Sequence, residues 1–181
     1  CASDPTPAIA GGAAAVLLTP TTDAPLVINA TIELGSSLQR LHGMHRTLVA
    51  GPRLRASGAP LFRIAGTAAD APLVIEALRQ PDGQGVAAFT HAGGRRVLFR
   101  DLKLGDYVAL PGSGPVEFSN VDHKHIALAP GQAALMVQAY LRPTAGDARP
   151  LVSARGGDAW FLGVAFAAGA TAIDNDGGRV A

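Results

Sequence analysis

Short apolar runs, cut at intervals of about ten residues by turn-forming residues, constrain this chain more than any other feature, because none is long enough to sustain a helical bundle. Twenty-two glycines and 13 prolines supply the cuts. Strands are predicted at 13–19, 26–34, 61–65, 73–78, 85–91, 95–100, 107–110, 116–118, 125–128, 133–141, 151–154 and 160–167. Leu26, Ile28, Ala30, Ile32 and Leu34 recur at every second position and so share one face of a strand. The fold class predicted from this pattern is all-β, an antiparallel β-sandwich. With 181 residues, 48% of them hydrophobic, the chain can build a core unaided. Residues 1–12 read as a flexible tether and 13–181 as a single domain, the alternative being two small β subdomains meeting near 66–71.

Local signals refine the pattern. Asp23-Ala24-Pro25-Leu26-Val27-Ile28 recurs as Asp70-Ala71-Pro72-Leu73-Val74-Ile75, with looser versions at Pro60-Leu61-Phe62 and Pro150-Leu151-Val152. Proline is tolerated at the first residue of a strand, so these read as strand entrances. The identity stops after six residues, which argues against a duplicated domain, and arrays are expected to keep their period. Leu34, Leu38, Leu41, His45 and Leu48 fall at helical spacing and predict one short helix within 34–48, with a strand pair as the alternative. Gln80-Pro81-Asp82-Gly83-Gln84-Gly85 predicts the turn of a β-hairpin.

From Gly93-Gly94 the chain runs Arg95-Arg96-Val97-Leu98-Phe99-Arg100-Asp101-Leu102-Lys103-Leu104-Gly105-Asp106-Tyr107-Val108. This stretch resembles the closing segment of prealbumin-like and collagen-adhesin-B-type β-sandwich repeats. The resemblance implies an immunoglobulin-like or prealbumin-like sandwich in which Phe99 and Tyr107 face the core and Gly105 turns the chain between their strands. Domains of that kind serve as stalks, carbohydrate-associated modules or scaffold partners in surface assemblies and share no catalytic residues.

The chain opens on Cys1, its only cysteine, followed by Ala2-Ser3-Asp4-Pro5-Thr6-Pro7. That opening resembles a mature bacterial lipoprotein, which implies a lipid anchor in the membrane through Cys1, and Ala2 implies delivery to the outer membrane. An arbitrary start and an N-terminal thiol nucleophile are the alternatives; the nucleophile calls for a buried strand, whereas this segment is a solvated linker. A single cysteine excludes an internal disulfide and any cysteine-rich metal site.

A net charge of +1 with scattered arginines gives no basic patch, so no nucleic-acid partner is expected. The longest apolar stretch, 160–172, is too short to span a bilayer and is broken by Gly163 and Gly169. Histidine carries the sharpest chemical expectation. His42, Met44, His45, His123 and His125 are candidate metal ligands, because residues i and i+2 of a strand share a face and a thioether suits copper. Paired imidazoles on a polar strand entrance are the plain alternative. Asp174-Asn175-Asp176-Gly177-Gly178 has the beginning of a calcium loop but no following bidentate acid, and reads as a turn. Gly112-Ser113-Gly114 lacks the spacing of a nucleophile elbow, and no glycine pair precedes a Lys-Ser/Thr phosphate loop.

The expected function is therefore non-enzymatic, with no cofactor: a structural or docking component of an outer-membrane or cell-surface assembly, partnered by other assembly proteins or by itself. The alternative is a periplasmic metal-handling or small-ligand-binding protein built on the His/Met clusters. Trp160 to Ala168, apolar on both faces, reads as a central core strand or as one that pairs with a partner.

Overall fold

A computed structural model describes residues 25–103, 105–143 and 145–181 together with the backbone of 14–16. Cys1 and the proposed tether lie outside the described residues. The first strands are β1 (Ala14–Val16), β2 (Leu26–Ile28), β3 (Ile32–Leu34) and β4 (Arg40–Ala50), followed by a single turn of helix, α1 (Pro52–Ser57). Next come β5 (Phe62–Ile64), β6 (Leu73–Arg79), β7 (Phe89–His91), β8 (Val97–Lys103), β9 (Tyr107–Ala109) and β10 (Val116–His123). The C-terminal part contains β11 (Ile126–Ala127), β12 (Ala133–Val137), β13 (Tyr140–Leu141), β14 (Val152–Ser153), β15 (Asp158–Leu162), β16 (Ala165–Phe166) and β17 (Ile173–Asp174).

All pairings between these strands are parallel, which overturns the antiparallel sandwich. One sheet runs β1-β4-β6-β8-β10-β12-β15 and the other β17-β14-β11-β9-β7-β5-β3. From β3 to β12 successive strands alternate between the two sheets, so the chain winds as a parallel β-solenoid, each coil laying one strand on each sheet. The predicted hairpin is corrected by the same topology. Residues 80–85 do turn the chain, but β6 and β7 on either side belong to different sheets. Likewise 34–48 forms β3, a turn and β4 in place of a helix, and the helical turn falls after Gly51 with Pro52 at its start.

Inside the coils like residues stack on like. Ile32, Phe62, Phe89, Tyr107, Ile126, Val152 and Ile173 form one row of register partners, spaced 30, 27, 18, 19, 26 and 21 residues apart. Facing it, Leu41, Ile75, Phe99, Phe118, Met136 and Phe161 form a second row. The rows meet in the middle: the Phe99 ring lies 4.9 Å from Phe89 and 5.7 Å from Tyr107, and Phe118 lies 5.3 Å from Tyr107. Burying each such ring is worth about 1.5–3 kcal/mol. Phe99 and Tyr107 thus face the core as expected, across two sheets instead of along one hairpin.

Two polar devices tie the coils together. The fully buried Arg95 donates to the carbonyls of Ala71, Gly35 and Leu38, residues of two preceding coils. Gln132 donates to the Tyr107 hydroxyl and to the Gly114 carbonyl at 2.8 Å each, and the same hydroxyl lies 2.7 Å from Nδ1 of buried His91. A Cβ on Gly114 would stand 2.1 Å from the Gly94 carbonyl oxygen, so only glycine lets these coils approach.

The larger sheet is creased lengthwise. Glu76, Arg100, Ser119, Val137 and Leu162 are register partners, and the residue after each, Ala77, Asp101, Asn120, Gln138 and Gly163, is left-handed, with φ between 51° and 65°. In β4 the crease widens into a bulge carrying Met44 and His45. The run from Trp160 is neither central nor covered on both faces: β15 is the last strand of its sheet path, Trp160 and Leu162 are exposed, and among the described residues only 179–181 hydrogen-bond to its outer edge.

Candidate functional site

Four crossovers from the larger sheet to the smaller lie side by side on one corner: residues 80–88, 105–106, 124–125 and 145–151. Between them opens a cleft of about 470 Å³, with Gln80, Asp82, Asp106, Lys124, Asp147 and Arg149 set among the apolar residues of its walls. The overhanging 80–88 loop is held at its start and its middle. Buried Gln80 accepts the Gly105 N–H at 2.9 Å, and Gln84 accepts the Ala50 N–H at 3.0 Å.

The His123-Lys124-His125 segment lies at this cleft, although the side chains do not share a face as an i, i+2 strand pair would. His123 turns inward, fully buried, with Nδ1 2.8 Å from the Gly105 carbonyl oxygen and its ring edge-on to Phe99 and Phe118. Burial holds its pKa below the usual imidazole value, against the opposing pull of the Gly105 carbonyl and of Asp106 and Asp122. Lys124 lines the cleft, 5% exposed, with Nζ 2.9 Å from Asp82. His125 is clasped between the Pro150 carbonyl, 2.7 Å from Nδ1, and Asp147, 3.0 Å from Nε2.

Two chains of polar contacts result. In one, Asp82 holds Lys124 and Arg142, and Arg142 reaches Asp122 at 3.0 Å. In the other, Asp147 holds His125 and Arg149, and Arg149 reaches Asp106 at 2.8 Å. The hydrogen bonds from Arg149 hold the Asp147 carboxyl well below the usual carboxylate range, and Asp147 in turn raises the Arg149 guanidinium. Lys124 likewise lowers Asp82.

The remaining metal candidates lie elsewhere. His42, Met44 and His45 sit on β4, three strands from β10, or about 14 Å at the strand spacing of a sheet. His42 Nδ1 accepts the Met44 N–H, Met44 is 53% exposed, and His45 lies 3.6 Å from Asp101. The structure does not bring the two clusters together. Among the described residues no three His, Cys, Asp or Glu side chains are grouped to hold a metal ion. Asp174 to Gly178 forms a turn in which Asn175 both accepts from and donates to the Gly178 backbone.

No known protein family, curated protein or solved structure matches this chain. Its function must be read from the corner itself. Sequence reading found His123 and His125 but missed the groups that surround them. Asp82 looked like a turn residue, and Asp106, Asp147 and Arg149 had no pattern at all. The signal present was Asp122-His123-Lys124-His125, four ionisable residues where a strand ends, which marks a polar corner without naming its partners.

Proposed function

We propose that the protein is a non-enzymatic docking component of a larger assembly, with the polar corner as its contact surface. The commitment of every charged side chain in the cleft wall to another charged side chain supports this reading. General acid–base chemistry needs a group with a proton position open toward substrate, whereas docking needs charges held in fixed places. Here Lys124, His125 and Arg149 are each tied to a carboxylate, and the backbone beneath them is locked by Gln80 and Gln84. Such a surface recognises a partner by complementary charge and loses little entropy on binding. No helix among the described residues is long and apolar enough to cross a membrane.

The test is photo-cross-linking in the native cell from a benzoylphenylalanine placed at Val86 in the cleft wall, with one at exposed Arg63 as control. A discrete adduct from position 86, weakened by Arg149→Glu and absent from position 63, is the expected result. Adducts no stronger than the control, or an adduct indifferent to Arg149→Glu, would overturn the proposal.

A further inference from the structure

On the outer face of the larger sheet, remote from the charged corner, β8, β10, β12 and β15 begin beside one another around a shallow depression of about 170 Å³. Its lining includes the small side chains of Pro115 and Ala133. One wall is apolar: Leu135 and Trp160 are register partners, 38% and 41% exposed, on strands whose inward residues Ala134, Met136 and Ala159 are fully buried. Opposite, in a depression whose surface is mostly apolar, stands one ion pair: Arg96 Nη2 is 3.4 Å from Glu117 Oε2, and Glu117 is the register partner of Leu135. A 3.4 Å separation is loose for a charge-assisted pair, and a guanidinium carries five donors while a carboxylate accepts about four bonds, so both retain capacity toward a ligand.

We infer that this depression is a saccharide-binding site in which Trp160 stacks on the apolar face of a pyranose ring while Arg96 and Glu117 bond its hydroxyls. The inference goes beyond the docking reading and does not rest on it. A pyranose has C–H groups on its faces and donor-acceptor hydroxyls at its rim. It therefore needs an aromatic face beside a group that donates and one that accepts. Leu135 and Trp160 supply the first, Arg96 and Glu117 the second, and the depression has room for about one ring. A purely apolar partner would leave the Arg96–Glu117 pair desolvated without compensation, and a purely ionic one would gain nothing from the indole.

Trp160 is the only tryptophan, so its emission reports the site directly. The experiment titrates the whole chain with neutral β-1,4- and α-1,4-linked hexose tetrasaccharides, followed by fluorescence and by calorimetry, with adenosine as a flat aromatic control. The expected result is a saturable shift of Trp160 emission with at least one saccharide. Calorimetry should then show affinity weakened about tenfold or more in Trp160→Ala and in Arg96→Ala, and retained in Trp160→Phe. Circular dichroism checks that each exposed-site variant is folded. No saturable response up to millimolar saccharide, equal affinity in Trp160→Ala, or tighter binding of adenosine than of any saccharide would overturn the inference.

Discussion

The Tyr107 hydroxyl joins three coils, since it lies against His91 of one and receives a hydrogen bond from Gln132 of another. Replacing it by Phe keeps the ring between Phe99 and Phe118 but leaves two buried polar groups short of a partner. Tyr107→Phe is expected to lower unfolding free energy by about 1–3 kcal/mol in urea titrations, with an unchanged m-value. An unaffected midpoint would mean that the hydroxyl is dispensable. The resemblance of the 93–108 stretch to β-sandwich repeats implied an inward Tyr107, and Tyr107 is fully buried. The sequence could not supply Gln132 as a partner, since that contact spans 25 residues and depends on how the coils stack.

At the scale of elements, the crease is the feature with most consequence. A non-glycine residue in the left-handed region costs about 1–2 kcal/mol, less for Asn and Asp, whose short side chains bond locally. Asp101 and Asn120 suit their places, and Gly163 is free of the cost, but Gln138 at φ 51° is not. Gln138 is exposed, so Gln138→Gly relieves the strain without opening the core. After the unfolded-state entropy of glycine is counted, a net gain of about 0.5–1 kcal/mol is expected, read as a rise in melting temperature. A fall would show that the Gln138 side chain contributes more than its backbone costs. The crease was hidden in the sequence because the chain passes through it at residues as different as Ala, Asp, Asn, Gln and Gly. Strand entrances after Pro25, Pro72, Pro60 and Pro150 were legible, in contrast, because proline acts locally. So was the turn at 80–85, whose glycines at φ 72° and 70° need no tertiary contact to explain them.

For the whole molecule, buried imidazoles set an acid limit. Burial lowers His91 from 6.5 to about 4, with the Arg95 carbonyl opposing, and lowers His123 in the same direction. Both are neutral when folded, so their contribution is complete above the unfolded value of 6.5 and is lost as pH falls from there toward 4. At 1.36 kcal/mol per unit, His91 alone accounts for about 3 kcal/mol of that loss. Urea midpoints are expected to be level near pH 7 and to fall steadily below 6.5; a level profile down to pH 4.5 would contradict the neutral assignment. Burial raises the pKa of Tyr107, which sets the opposite flank, where stability is lost as pH climbs past 10. Protection should also be graded along the solenoid. Residues inward in β8 and β10 are fully buried, whereas no described residue after Ala159 is, although Phe161, Phe166 and Ile173 continue the inner rows. Hydrogen exchange is expected to be at least about tenfold slower at the amides of Phe99 and Phe118 than at those of β16 and β17, and uniform protection would refute the gradient. The sequence by itself determined that the chain is made of short strands and where several of them start and turn, because proline and glycine act through local geometry. The predicted strand 26–34 is split between the two sheets, with Ala30 exposed. Only the tertiary structure decided that the strands run parallel in stacked coils and that Lys124, Asp82, Asp147 and Arg149 meet on one corner. A two-residue period is common to sandwich and solenoid alike, and coils whose partners stand 18 to 30 residues apart leave no repeat for a single sequence to display.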